Sequence, residues 1–328
     1  MIKPIAGSWF EFQHFCEVEG KYWNPTCAGF TDAQWEAKLE EMARIGMEYL
    51  VLTNVACHEK AFFKTSIFPF YPIKCQDPLE VVLSAADRLG MRFFIGIGFF
   101  TPANSPLWLI NRREETRRRL QAINEIAEKY GHHKGFYGWY WPHEAFINNY
   151  FSPPFIQYVN TCSVEARRLK PDSKVLLGPY GTRLVCPDEK YIRQLNELDV
   201  DIIAYQDEVG VEKTRVEELP AIYEGLRKAH DRVEKVKMWM DVEVFQFEGK
   251  VYESALLPAP FNRVERQLNA ASPFVERILI YQYLGLLNSP ATKAFAGHSA
   301  SAELYSNYVN WLEKNSLIQT VIEKEKGR

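Results

Sequence analysis

The most constraining feature of this chain is an order of segments. A short apolar run, a loop and a stretch of helical period follow one another eight times along 328 residues. Strands separated by helix-length connections pair in parallel, since only antiparallel neighbours can be joined by a tight hairpin. The expected strands are about Ile5–Phe12, Tyr49–Thr53, Arg92–Gly98, Phe136–Trp141, Lys174–Gly178, Asp201–Gln206, Val236–Val242 and Arg277–Tyr281. The first helix opens at Thr31 with Gln34 three residues on, a capping box, and closes at Gly46, burying Trp35, Leu39, Met42 and Ile45 as one stripe. The second opens at Asp77-Pro78 and stops at Gly90. The third is expected from about Ser105 to Tyr130, and the fourth from Pro153 to Leu169 before Pro171. Pro187 opens the fifth, and Val216–Ala229, Pro260–Ala271 and a segment from Ala302 complete the set.

Right-handed crossovers restrict such a string to an open doubly wound sheet or a closed barrel, and eight units favour closure. No GxGxxG follows the first strand and no GxxxxGK[ST] occurs anywhere, which removes the usual reason for a nucleotide-binding open sheet. The expected fold is therefore a single-domain (β/α)8 TIM barrel spanning residues 1–328.

A formal charge of −3 gives no electrostatic footprint for nucleic acid; the basic run Arg112–Arg119 is interrupted by Glu114 and Glu115 and reads as a solvated helix face. Six dispersed cysteines without CxxC spacing read as free thiols, and no metal or other cofactor is expected. The first residues lack the apolar core of a signal peptide and no membrane-length apolar stretch is present, so a cytoplasmic protein is expected. The sequence is silent on oligomeric state. Aromatic residues make up 14%, with 8 Trp and 17 Tyr, and amphipathic rings suit the two faces of a sugar.

In a barrel of this kind the active site lies where each strand ends, so the informative residues are those at which the apolar runs turn polar. These are Glu11 and Gln13 after the first strand, Asn54 and His58 after the second, and His143 and Glu144 after the fourth, with the rings of Trp9 and Trp141 near the ends of their strands. Tyr180 follows the fifth, Tyr205, Gln206, Asp207 and Glu208 close the sixth, Asp241 and Glu243 the seventh, and Gln282 the eighth. Acids dominate, with no evident nucleophilic Ser, Cys or Lys. Cleavage of a glycosidic bond needs two carboxyl groups, one to protonate the leaving oxygen and one to attack the anomeric carbon or activate water. Glu144, beyond the aromatic GFYGWYW, is the acid/base candidate, since apolar surroundings raise a carboxyl pKa.

In KMWMDVEVF, strand alternation puts Trp239, Asp241 and Glu243 on the barrel interior and Met238, Met240 and Val242 on the outside, which makes Glu243 the nucleophile candidate and Asp241 its reserve. Trp9, Glu11, Asn54, Trp141, His143, Tyr180, Tyr205, Gln206, Asp207, Glu208, Asp241 and Gln282 are the expected substrate contacts, the partner being a carbohydrate. His132 and His133 precede the fourth strand at the opposite face and read as surface, with metal binding not expected there.

Through GSWFEF near the start, YQDEVG at the sixth strand and WMDVEVF at the seventh, the chain resembles bacterial proteins of the domain-of-unknown-function family 4434, described as glycoside hydrolases. The placing of Glu144 and Glu243 also resembles the retaining barrel clan whose acid/base and nucleophile glutamates follow strands four and seven. The chain departs from that clan in having His143 where Asn is usual and Gln282-Tyr283 where Trp is usual. Retention implies carboxyl groups ~5–5.5 Å apart, and inversion ~6.5–9.5 Å. Two other readings stand beside hydrolysis: a metal-dependent sugar isomerase or epimerase using Glu144, Asp207, Glu243 and a His, and a non-catalytic carbohydrate-binding barrel.

Overall fold

The computed structural model describes residues 2–98, 110–144 and 146–317. Eight parallel strands close into one barrel: β1 (Ile5–Phe10), β2 (Tyr49–Leu52), β3 (Arg92–Gly96), β4 (Phe136–Tyr140), β5 (Lys174–Leu177), β6 (Ile202–Gln206), β7 (Lys237–Glu243) and β8 (Ile278–Tyr281). Each strand pairs with its sequence neighbours, and β8 returns to β1. The helices that follow them are α1 (Asp32–Arg44), α2 (Pro78–Leu89), α3 (Arg113–Tyr130), α4 (Pro153–Leu169), α5 (Glu189–Glu197), α6 (Leu219–His230), α7 (Phe261–Ala271) and α8 (Ala300–Lys314).

Local chemistry fixes the helix ends. Gln34 Oε1 accepts from the Thr31 amide at the start of α1, and Asp77 accepts from the Glu80 amide at the start of α2. Gly90 ends α2 in the left-handed conformation at φ 67°. The fifth helix starts two residues after Pro187 because Asp188, not the proline, caps it through the Lys190 and Tyr191 amides. Ser105, the expected start of the third helix, lies outside the described residues, and the described helix begins at Arg113.

Strand alternation sorts the core into two layers. Trp9, Tyr49, Phe94, Tyr140, Leu176 and Trp239 pack within the barrel, while Met238, Met240 and Val242 pack outward with the helices. Trp9 meets Tyr140 edge to face at 5.8 Å, and Tyr49 meets Trp239 at 4.8 Å. This interior plug leaves a cavity where the strands end. One hairpin, Phe245–Phe247 with Leu256–Pro258, follows β7 and forms part of its wall. Among the described residues, no helix is long and apolar enough to cross a membrane.

Candidate active site

The cavity encloses about 550 Å³ and is lined from the ends of several strands. Glu144 beyond β4 and Glu243 at the tip of β7 both line it, together with Trp9, His143, Tyr180, Gln206, Glu208 and Asp241. Residues distant in sequence thus share one chamber, as this fold dictates at its C-terminal face.

Glu243 is held at three points. Its amide donates to Asp207 Oδ1 at 3.2 Å, and its carbonyl accepts from Arg263 at 2.9 Å and Gln267 at 3.2 Å. Its carboxylate Oε2 accepts the Val211 amide at 2.9 Å. Close approach from the β6 loop is possible because residue 210 is glycine: a Cβ there would lie 2.9 Å from that of Glu243. Burial pushes the Glu243 pKa well up, Asp207 and Glu208 push it further, and the Val211 amide pulls against them.

Asp241, one pleat deeper, is 2% exposed and has no hydrogen-bond partner for Oδ1 among the described residues. Burial, then Glu243, Asp207 and Glu144, raise its pKa well above the usual carboxyl range. Neighbouring acids in such a group cannot all ionise together. Among the described residues no donor reaches Asp241 Oδ1, whereas Glu243 Oε2 accepts the Val211 amide. A proton shared by the group is thus better placed on Asp241, and the charge on Glu243.

Glu144 faces the open cavity, yet the cavity walls withhold enough water to raise its carboxyl to about 7. The Gln206 amide, donating to Oε1 at 3.1 Å, and Lys213 oppose that rise. His143, alongside, is lowered to about 4 by burial and then by Arg119, so it is a neutral imidazole near pH 7; its ring meets Tyr158 edge to face. Glu208, in the left-handed region at φ 55°, is spent on structure: its Oε2 accepts the Gly181 and Thr182 amides, both at 2.9 Å.

Several expected contacts do not reach the cavity. Trp141 packs outward, stacked on Trp139, with its indole N–H on Ser163 Oγ at 3.0 Å. Tyr205 also faces the helices, bonded to Tyr191 at 2.5 Å and His230 at 2.8 Å. Asp207 lies behind Glu243 and is consumed by Gln267, Val209 and the Glu243 amide, with burial raising it to about 6; it supports the β7 tip and does not line the cavity. Glu11 is buried among Trp23, His14 and Gln282, and Gln282 is itself fully buried against Glu11 at 2.6 Å. Asn54 is buried beside, not on, the cavity surface.

Sequence reasoning missed much of the wall. His14 lines the cavity between Glu11 at 3.0 Å and Glu19 at 3.0 Å, with the Tyr281 hydroxyl 3.1 Å from Nδ1. Burial alone would lower this imidazole, but Glu11 and then Glu19 override it and raise it to about 10. Lys213, Phe146 and Tyr252 also line the cavity, the last two 42% and 52% exposed. They lie on loops with no period to read. Tyr281 and Phe245 had a signal, being in register and in parity with Glu243.

A divalent-metal centre needs donors that converge. Among the described residues, the only three-donor group within 4.8 Å is Glu80, His132 and His133, none of which lines the cavity. Glu144, Asp207 and Glu243 form no such group.

A family model described as a domain of unknown function, DUF4434, matches residues 5–313. The chain belongs to the DUF4434 family. None of the curated proteins matches it. Among solved structures, this DUF4434 chain is similar to a Bacteroides thetaiotaomicron protein titled "putative alpha-L-fucosidase", at 17% identity and TM-score 0.76, over 95% of this chain and 94% of that one. It is also similar to a β-galactosidase from Marinomonas ef1 (9% identity, TM-score 0.57, 96% of this chain and 61% of that). A β-galacturonidase from Eisenbergiella tayi gives 11% identity and TM-score 0.56, over 94% of this chain and 51% of that. The DUF4434 chain thus spans nearly all of the first protein, about three fifths of the second and about half of the third. At these identities the likeness is one of fold.

Proposed function

We propose that this DUF4434 protein is a glycoside hydrolase in which Glu144 is the acid/base and Glu243 the nucleophile. One observation carries the reading: carboxyl groups from the ends of β4 and β7 line the same cavity, and one of them is raised to about 7, where a general acid still holds its proton near neutrality. The glycosidase names of the proteins with similar folds agree with it by analogy.

In the first step Glu144 gives its proton to the glycosidic oxygen while a Glu243 oxygen forms a bond to the anomeric carbon, and the aglycone leaves as an alcohol. In the second step Glu144, now a carboxylate, takes a proton from water as the water oxygen attacks the same carbon and releases Glu243. The positive charge that develops at that carbon favours ionised Glu243, opposing the effect of its burial. Exposed rings at the cavity, Phe146 and Tyr252, give a sugar apolar surface to stack on.

The test is turnover of a panel of aryl glycosides and oligosaccharides by wild type, Glu144→Gln and Glu243→Gln. Each substitution is expected to lower kcat by about 10²–10⁴-fold, and turnover that survives both overturns the assignment. Proton NMR of the first-formed sugar is expected to show retained anomeric configuration. Inversion would turn Glu243 from nucleophile into the base that activates water.

A further inference from the structure

The turn into β4 carries two adjacent histidines that hydrolysis does not use. His132 is exposed and His133 is 5% exposed, so the expectation of a surface pair holds for the first and fails for the second. Their rings lie 4.2 Å apart. Facing them is Glu80 in the first turn of α2, and one ligand-capable atom from each of the three residues falls within 4.8 Å of the others.

The surroundings are arranged as they are behind ligating side chains. His133 Nδ1 lies 2.9 Å from Asp87 Oδ2, and the other Asp87 oxygen accepts the Gly135 amide. This fixes the buried ring and leaves Nε2 turned to Glu80 Oε2 at 3.3 Å. A carboxylate behind the far nitrogen is the usual support of a metal-bound imidazole. The second Glu80 oxygen is steadied by the Ser84 hydroxyl at 3.1 Å.

We infer that Glu80, His132 and His133 bind one divalent cation of the zinc class and clamp α2 to the turn before β4. Two imidazoles and one carboxylate suit zinc and not the all-oxygen preference of calcium or magnesium. Zinc bonds of about 2.0–2.1 Å place tetrahedral ligand atoms about 3.3 Å apart. Ligation requires the more exposed His132 and Glu80 side chains to rotate and close the present spread while His133 stays fixed. Three protein donors leave the fourth position to water.

Chelator-treated protein titrated with zinc sulfate by calorimetry, with Tm followed in parallel, tests this. The expected result is one zinc per chain with a raised Tm. His132→Ala and Glu80→Gln should each weaken binding by roughly tenfold or more and abolish the Tm rise, with the exposed His132→Ala leaving the zinc-free Tm unchanged. Cobalt in place of zinc should give the visible spectrum of a four-coordinate site in wild type alone. Absence of stoichiometric zinc, or equal affinity in both variants, overturns the proposal; the second result would place the ion elsewhere, such as among the acids of the cavity.

Discussion

The Gln206 side-chain amide donates at once to Glu144 Oε1 at 3.1 Å and to the Gly178 carbonyl at 3.0 Å. The tip of β6 thereby ties the carboxyl beyond β4 to the end of β5. Thr182 Oγ1 in turn donates to the Gln206 carbonyl at 2.6 Å, so the amide is presented from a braced backbone. A donor on a carboxylate favours its charged form and works against the burial that raises Glu144.

Gln206→Leu should therefore shift the pH profile. Loss of the donor raises the Glu144 pKa above about 7, and because the protonated form is the general acid, the basic limb of kcat/KM should move to higher pH. Loss of positioning should lower kcat by roughly tenfold. The pH–rate profile of the variant beside wild type decides it; an unmoved or acid-shifted basic limb would count against Glu144 as the acid.

Asp241→Asn separates the two acids of β7. If Asp241 carries the shared proton, the amide copies its neutral form and kcat/KM should fall by less than about tenfold, against about 10²-fold or more for Glu243→Gln. Because burial and then Glu243 hold Asp241 well above the usual carboxyl range, the substitution removes no charge near neutral pH and the limbs of the pH profile should stay where they are in wild type. Loss of turnover in Asp241→Asn equal to that in Glu243→Gln would transfer the nucleophile's part to Asp241.

The alternation of β7 was legible because WMDVE contains no irregularity, and the same rule applied to Ile202-Ile203-Ala204-Tyr205-Gln206 would have turned Tyr205 outward and Gln206 inward, as observed. Trp141 was not legible in this way. The pairing of β3 with β4 slips between Phe136 and Gly138, an irregularity that resets the alternation and sends Trp139 and Trp141 to the helices while Tyr140 faces in. Nor does sequence tell a strand-end acid that lines a cavity from one consumed behind it: Asp207 and Glu208 are neighbours, and only tertiary donors such as Gln267 distinguish them. Lys213 and Tyr252 reach the cavity from loops, where no hydrophobic period exists.

The outward position of Trp141 has a direct consequence. Trp141→Phe removes the hydrogen bond to Ser163 and part of a ring stacked against Trp139, so it should lower Tm by about 2–6 °C while leaving KM unchanged. Thermal unfolding and steady-state kinetics on one preparation check both halves. A raised KM with an unchanged Tm would mean that this ring meets substrate.

His14 makes stability depend on alkaline pH. Its imidazole, 2% exposed, lies between Glu11 and Glu19 and is raised from 6.5 to about 10, with Glu11 contributing more than Glu19 against the cost of burial. A group whose folded pKa exceeds its unfolded value binds more protons in the folded state, so its stabilisation is fully present below pH 6.5 and is lost as pH rises through about 10. Wild-type Tm should thus decline between pH 7 and 10, and His14→Gln, which keeps a polar group but cannot titrate, should start lower and decline less over the same interval. The difference between the two curves isolates the histidine from the tyrosines and lysines that also titrate there. Parallel curves would show that His14 is neutral in the folded protein, and the Tyr281 hydroxyl beside it at 3.1 Å would then face an uncharged ring at the cavity wall.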